Sequence, residues 1–249
     1  MTAENEIWAT LRRLTAARIG LKRAGASLAT APLLDFRLAH ARARDAVHDA
    51  LDQASLTTEL ANLGEPVISV ASAAEDRQSY LLRPDLGRCL GPGADAALGP
   101  HRGGYDVVFV VADGLSARAV TSHAQPVLSQ AVTALRAEGW TIAPLVVVRH
   151  GRVAIGDEIA AALGATSVVV LIGERPGLSA PDSMGAYLTF KPHARTTDAD
   201  RNCISNIRPD GIGYELAGFK IVHLLHAMRL REVSGVALKD DSDRLRIGG

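Results

Sequence analysis

The amino-acid sequence predicts an α/β protein, in which a parallel sheet flanked by helices follows a helical N-terminal segment. Continuous β-branched runs occur at Tyr105–Ala112 (YDVVFVVA) and at 166–172 (TSVVVLI), which is typical of strands buried on both faces. Helix-compatible segments separate these runs, and strand–helix–strand alternation favours right-handed crossovers between parallel strands. Before them lies an Ala-rich segment, 36–56, that contains neither Gly nor Pro. These three observations determine the predicted fold class.

The first hundred residues are predicted to be mainly helical. Ile7, Leu11 and Leu14 recur at helical spacing in a basic segment, which predicts one amphipathic helix that stops at Gly25. A second helix is predicted over 36–56. The segment 67–74 fits a strand or a loop, and 83–87 (RPDLG) fits a turn or a helix start. The Gly- and Pro-rich stretch 91–104 is the candidate boundary between two domains, 1–100 and 101–249.

The second part of the chain alternates between strands and helices. Strands are predicted at 105–112, 140–148, 166–172 and 186–190, with a short last strand at 236–238. Helices are predicted at 116–138, 156–163 and 214–233. The first of these helices is expected to be interrupted near Pro126, and the second to close at Gly164.

Composition excludes several classes of protein. Hydrophobic residues make up 47% of the 249 residues, and 27 Lys+Arg balance 27 Asp+Glu. This apolar content argues against disorder, and the zero net charge argues against non-specific nucleic-acid binding. We find no apolar run of membrane-spanning length and no signal-like segment at the N-terminus, so a cytoplasmic protein is expected. The two cysteines, Cys89 and Cys203, are expected to be free thiols.

Three predicted loops leave strands through Gly or charged residues. They are 113–116 (DGLS), 149–157 (RHGRVAIGD) and 173–179 (GERPGLS). Because ligands bind at the carboxyl ends of parallel strands, we expect the three loops to form one edge of a binding site. The alternative is that Gly and Pro simply end the strands there.

Individual polar residues in this region have two interpretations each. Glu174 directly follows an apolar strand and is expected either to accept hydrogen bonds from a ligand or to pair with adjacent arginines. The segment 200–209 (DRNCISNIRP) is predicted either as irregular turns or as a hydrogen-bonding wall around a polar cofactor.

Known catalytic and cofactor motifs are missing from the sequence. The loops match neither the dinucleotide fingerprint nor the P-loop, and Ser116 does not lie in a nucleophile elbow. There is no D-x-H-x-x-G motif, so no histidine is placed as an axial ligand of a cofactor metal. His223 and His226 share a helix face, but no third metal ligand is evident, so no metal site and no catalytic residue are predicted.

The chain resembles the small (light) subunit of ethanolamine ammonia-lyase. The matching segments extend from about Leu11 to Asp240 and include LTAARIGLKRAG, RPDLGR, VVADGLSARAV, RVAIGD, GERPGLSAPDSMGAYLTF, RNCISNIRPDGI and SGVALKD. The segments GERPGLS and RNCISNIRP are the most specific. This resemblance adds a family to a fold class that the residues predict independently.

The resemblance implies a lyase that uses adenosylcobalamin to convert ethanolamine into acetaldehyde and ammonia by radical chemistry. It implies that the second domain, 101–249, is Rossmann-like and binds the cobalamin, while the helical region, 1–100, contacts a large subunit. That large subunit would hold the ethanolamine substrate, in an assembly of three pairs of heterodimers. The cobalamin contacts of the family fall on Val153, Glu174 and Cys203. Val153 would contribute a backbone or apolar contact, Glu174 an acceptor, and Cys203 a small wall residue.

Two points stay open from the sequence. Many family members carry extra residues before the LTAARI-like segment, and because they are almost missing here, targeting to a bacterial microcompartment is in doubt. The alternative function is a stand-alone Rossmann-like module that binds a nucleotide or another small polar ligand. The loops fit this alternative, whereas the missing glycine fingerprint counts against it.

Overall fold

A computed structural model describes residues 3–242, with side chains from residue 7 onward. The N-terminal region contains helix α1 (Ala3–Arg13), a short hairpin of β1 (Arg23–Ala24) and β2 (Ser27–Leu28), and helices α2 (Thr30–His48) and α3 (Gln53–Ala61). The predicted first helix therefore ends well before Gly25. The predicted second helix is divided, because Asp52 caps α3 by accepting a hydrogen bond from the Ser55 backbone N at 3.1 Å.

A six-stranded sheet forms the centre of the molecule. Its strands lie in the order β3-β5-β4-β6-β7-β8. Their bounds are β3 (Val67–Ala71), β4 (Tyr105–Ala112), β5 (Leu145–Arg149), β6 (Ala165–Gly173), β7 (Met184–Phe190) and β8 (Arg201–Ile207). The segment 67–74, which fits either a strand or a loop by its sequence, thus contributes strand β3.

The sheet is mixed, so the predicted parallel sheet is wrong at β7, the one strand that runs in the opposite direction. β3, β5, β4 and β6 are parallel, whereas β7 is antiparallel to both β6 and β8. A parallel connection needs a crossover, usually through a helix. The segment 174–183 that joins β6 to β7 contains no helix, and the chain turns back beside β6.

Helices cover the two faces of the sheet unequally. Helices α6 (Ala117–Ala137) and α8 (Tyr214–Arg231) pack on one face over a cluster that extends from β5 to β8. Helices α5 (Ala94–Leu98) and α7 (Ile155–Leu163) pack on the other face, over residues of β3 to β6. Helix α6 continues through Pro126, so the predicted interruption is wrong, and α7 ends at Gly164 in the left-handed conformation as predicted.

This unequal cover leaves one face of β7 and β8 open. Met184, Ala186 and Leu188 are buried towards α6 and α8. The alternate residues point the other way because side chains alternate along a strand. On β8 the residues on the open side include Cys203 and Ser205, and both are exposed.

Two predicted segments differ from the structure near the C-terminus. Within 200–209, residues 201–207 form strand β8 instead of irregular turns, because they pair with β7 over most of their length. The predicted strand 236–238 is wrong, since Gly235–Ala237 forms a 3₁₀ turn. The remaining α-helix among the described residues is α4 (Arg77–Leu82).

The division into two domains near residue 100 stays a prediction. Strand β3 precedes that boundary, yet it is hydrogen-bonded to β5 in the main sheet. Among residues 3–242, no helix is long and apolar enough to cross a membrane.

Candidate functional site

The three loops predicted from the sequence lie together at one edge of the sheet. They follow β4, β5 and β6, which are parallel neighbours. The Leu115 backbone N donates to the Gly173 carbonyl at 2.9 Å, which joins the first loop to the third. The buried Asp113 carboxylate accepts from the Gly151 backbone N at 3.1 Å, which joins the first loop to the second. Backbone and side-chain hydrogen bonds therefore fix the three loops relative to one another.

Gly114 makes this convergence possible. Its φ of +55° lies in the left-handed region, and an added Cβ would fall 2.3 Å from the Gly173 carbonyl oxygen. Only glycine avoids both the backbone strain and this clash. The glycine in DGLS is thus explained by the close approach of two loops.

A cleft of about 450 Å³ lies between these loops. Val153 and Glu174 both line it, together with Arg152, Gly114 and Tyr187. Val153 is half-buried and packs against the apolar cluster beneath α7. Two of the three residues implied by the family resemblance therefore lie in one cleft.

The carboxylate of Glu174 is held from three sides. It accepts hydrogen bonds from the hydroxyls of Ser183 and Ser205 and from the Asn206 backbone N, the last at 3.2 Å. The partners of its oxygens are thus hydroxyl and amide groups, and the predicted alternative of a pair with adjacent arginines is not what the structure has. A carboxylate has about four acceptor positions, so one remains for a further donor.

Cys203 adjoins the cleft through Tyr187. These two residues are direct partners in the register of β7 and β8. Burial raises the pKa of the Cys203 thiol, the hydrogen bond with Tyr187 lowers it, and the negative charge of Glu174 raises it. The net effect keeps the thiol protonated near neutral pH, which suits a wall residue better than a nucleophile.

Gly185 provides space beside Glu174. An added Cβ would lie 3.0 Å from the Glu174 Oε1 atom and 3.2 Å from the Tyr187 ring. Because glycine has no side chain, nothing projects from the open sheet face at this position. Gly185, Tyr187 and Cys203 therefore form a shallow surface next to the cleft.

Polar and charged side chains lie beneath the cleft. Two guanidinium groups contact the Tyr80 ring, with Arg152 4.4 Å and Arg77 4.8 Å from its centroid. Burial raises the pKa of the Tyr80 phenol to about 12. Burial also raises the pKa of Asp113, although Arg77, 3.7 Å away, acts in the opposite direction. The contact with Tyr80 therefore fixes Arg152 at the edge of the cleft.

Sequence reasoning missed Gly185, Tyr187 and Ser183, whereas Ser205 lies in the segment 200–209 that one interpretation made a hydrogen-bonding wall. The alternation of MGAYLTF places Gly185 and Tyr187 on one face of a strand, which is the signal that could have found them. The role of Ser205 depends on β8 being a strand, and the short polar residues of that segment concealed this.

Other residues considered from the sequence have structural partners. Ser116 caps α6 and also donates to the Pro181 carbonyl at 3.0 Å. His223 contacts Asp241 at 2.8 Å, and His226 contacts Glu138 at 2.5 Å. Each histidine of this pair thus lies beside a carboxylate.

Comparison with known proteins agrees with the resemblance found in the sequence. The family described as Ethanolamine ammonia-lyase light chain (EutC) matches residues 5–239. The chain is 53% identical over 251 residues to the ethanolamine ammonia-lyase small subunit of Xanthomonas campestris pv. campestris (strain ATCC 33913), covering 99% of this chain and 92% of that protein. Small subunits from Azotobacter vinelandii (52% identical) and Ralstonia nicotianae (50% identical) each align over 97% of this chain and 91% of their own length. The chain therefore belongs to the ethanolamine ammonia-lyase light chain family.

Proposed function

We propose that this chain is the small subunit of an ethanolamine ammonia-lyase and binds adenosylcobalamin together with a large subunit. The enzyme would convert ethanolamine into acetaldehyde and ammonia, with ethanolamine held by the large subunit. The observation that supports this proposal is that Val153 and Glu174 line one cleft, and that Tyr187 of the same cleft pairs with Cys203.

The residues present fit a cobalamin. The corrin is a broad ring system that carries amide side chains, and it needs an open surface with hydrogen-bond acceptors. The face formed by Gly185, Tyr187 and Cys203 is shallow, and an added Cβ at Gly185 would fill part of it. The remaining acceptor position of Glu174 suits an amide N–H. When bound, the cofactor supplies the cobalt–carbon bond whose homolysis starts the radical chemistry.

In this proposal, the residues of this chain bind the cofactor and orient it. Ser183 and Ser205 fix the direction of the Glu174 carboxylate, so that little side-chain entropy is lost when it accepts a ligand hydrogen. Val153 presents an apolar side chain on a loop that is fixed by the buried Asp113. The exposed side of the site would be covered by the large subunit, in an assembly of three pairs of heterodimers.

Reconstitution with the large subunit tests this function. The chain alone, the large subunit alone and the mixture are each incubated with adenosylcobalamin and separated by gel filtration. We expect the visible spectrum of cobalamin to be retained by the mixture, and acetaldehyde to form from ethanolamine only there. Glu174→Gln in the mixture is expected to weaken cofactor binding roughly tenfold, because a charge-assisted acceptor is lost. The exposed Glu232→Gln is the matched control.

Three results would contradict the proposal. They are acetaldehyde formation by the isolated chain, no gain when the chain is added to the large subunit, and equal cofactor affinity of the Glu174→Gln complex. Tight binding of a nucleotide by the isolated chain would instead support the alternative, a stand-alone binding module.

A further inference from the structure

A second cleft, of about 480 Å³, adjoins the first and contains several cationic side chains. Arg152 and Val153 line both clefts. The second cleft is also lined by Arg88, Arg201 and Thr196. Arg88 belongs to the RPDLGR segment, to which the proposed cofactor contacts assign no role.

Arg152 is held in a defined position. Its guanidinium lies over the Tyr80 ring, and its Nη2 donates to the Tyr80 carbonyl at 3.1 Å. Its backbone N donates to the Gly87 carbonyl at 2.7 Å. An added Cβ at Gly87 would lie 2.7 Å from the Arg152 Cγ atom, so glycine at this position gives the side chain its space. RPDLGR and RVAIGD thus meet to place one arginine.

The cationic charge of this cleft is only partly balanced. Arg201 is buried and pairs with Asp157 through two hydrogen bonds of 2.7 and 2.8 Å, and Asp198 lies 3.6 Å from its Nε. Within residues 7–242, Arg88 and Arg152 have no carboxylate within 4 Å, and the buried Nε of Arg152 has no hydrogen-bond acceptor. A half-buried guanidinium without a counter-charge favours an anionic ligand.

A neutral donor lies in the same cleft. The Thr196 hydroxyl oxygen accepts from the His193 backbone N at 2.8 Å, and its proton has no acceptor among the described residues. Two guanidinium groups and a hydroxyl, supplied by separate loops, suit a tetrahedral anion with several acceptor oxygens.

We propose that Arg88, Arg152 and Thr196 form a binding subsite for a phosphate group. Because Arg152 and Val153 line both clefts, a single ligand extends from Glu174 into this subsite. The inference rests on the proposed function to this extent: the phosphate belongs either to the nucleotide loop of adenosylcobalamin, as a phosphodiester, or to free inorganic phosphate.

Two corrinoid probes that differ only by a phosphate test the subsite. Cobinamide and cobinamide phosphate are titrated into the complex of this chain with the large subunit, and binding is measured by equilibrium dialysis and visible absorbance. We expect cobinamide phosphate to bind more tightly. Arg88→Gln should reduce this advantage roughly threefold while binding of cobinamide is unchanged, and Arg152→Gln, which also lines the first cleft, should reduce it roughly tenfold. Arg83→Gln is the matched control, since Arg83 lies on the same turn, exposed and paired with Asp85.

The outcomes separate the two sources of phosphate. An advantage of cobinamide phosphate that depends on Arg88 and Arg152 assigns the subsite to the cofactor. No such advantage, together with binding of inorganic phosphate that is followed by ³¹P NMR and weakened by Arg88→Gln, assigns it to the free anion. If the arginine variants change neither the advantage of cobinamide phosphate nor the binding of inorganic phosphate, the subsite is overturned. If Arg152→Gln does not fold, Arg88→Gln on the exposed turn carries the same test.

The two proposals also fail in different ways. If cobalamin is still bound, and the binding of neither cobinamide phosphate nor inorganic phosphate depends on Arg88 and Arg152, the subsite alone is overturned. No retention of any corrinoid by the wild-type complex overturns the proposed function, and the inorganic phosphate measurement then decides the subsite by itself.

Discussion

Glu174 illustrates how single residues are prepared for binding in this protein. The carboxylate does not sit free at the end of β6, since Ser183, Ser205 and the Asn206 backbone determine where its oxygens point. Ser183 lies at the far end of the connection that begins with Glu174, whereas Ser205 and Asn206 belong to strand β8. A side chain fixed in this way offers a defined acceptor position at little entropic cost. A substitution that shifts the Glu174 carboxylate should therefore weaken ligand binding more than it weakens the fold.

Gly185→Ala is expected to weaken cobalamin binding while leaving the fold intact. The new methyl group would lie 3.0 Å from the Glu174 Oε1 atom, so the carboxylate must shift. Gly185 does not have a positive φ, so the backbone accepts alanine. The measurement is the dissociation constant of adenosylcobalamin in the reconstituted complex, together with the urea midpoint of the chain.

Gly99→Ala is the control for this substitution. Gly99 has a φ of −53°, and an added Cβ would meet nothing within 4 Å. An unchanged dissociation constant for Gly185→Ala would show that the position of Glu174 does not matter for binding.

At the scale of elements, helix α7 forms the support of the loop that carries Val153. The helix packs over β6 and β4, and Asp157 in its first turn forms an ion pair with Arg201 of β8. Gly156 allows the close approach, because its added Cβ would lie 2.5 Å from the Val170 Cγ2 atom of β6. The helix therefore links the parallel strands to the antiparallel pair through one tight contact and one ion pair.

Gly156→Ala is expected to destabilise the protein. Alanine improves helix propensity by about 1 kcal/mol, whereas overpacking against buried side chains costs about 1–3 kcal/mol. Because Val170 is almost fully buried, the clash should outweigh the gain. Urea unfolding followed by circular dichroism measures the difference, with Gly99→Ala as the control. An increase in the urea midpoint would mean that α7 can move away from the sheet without cost.

At the scale of the whole molecule, the net charge is zero, and many carboxylates form local hydrogen bonds or ion pairs. Several are held by hydrogen bonds that lower their pKa. The hydrogen bond from the Ser79 backbone lowers the pKa of Asp76, that from Thr197 lowers the pKa of Asp200, and that from His223 lowers the pKa of Asp241. The stability of the fold therefore depends on these groups remaining ionised.

The free energy of unfolding is expected to fall as the pH decreases below about 4. A carboxylate whose folded pKa is lowered contributes its full stabilisation above its unfolded pKa of about 3.9, and loses it as the pH falls through the lower folded value. Asp200→Asn should lower stability at pH 6 and reduce the acid-dependent loss. Urea midpoints between pH 6 and pH 3 test this, and identical pH profiles for the variant and the wild type would refute it.

Much of the edge of the site follows from the sequence. Tyr105–Ala112 and the apolar run before Glu174 are continuous apolar strands, and the loops after parallel strands must meet at one edge. Local sequence is therefore enough to place Glu174 in a candidate site. The helices α6 and α8 are also predictable, because both are long and periodic.

The remaining part of the site depends on contacts between distant segments. Cys203 and Ser205 lie in a segment of short polar residues that have low intrinsic strand preference, and this segment becomes β8 only because it pairs with β7. The antiparallel return of β7 likewise depends on the helix-free connection 174–183. Local sequence could not determine either outcome. The hydrogen bonds that make a segment a strand come from its partner strand, and the choice of partner depends on the whole sheet.

The sequence alone thus determined an α/β protein with three converging loops, and the matching segments determined its family. Tertiary structure decided that Glu174 is held by Ser183 and Ser205, that Tyr187 lies across from Cys203, and that Arg152 meets the Arg88 turn beside Val153. The physical reason is the range of the interactions. Periodicity and loop chemistry act between near neighbours in the chain, whereas the open face and its two clefts arise where a mixed sheet extends beyond the helix that covers it.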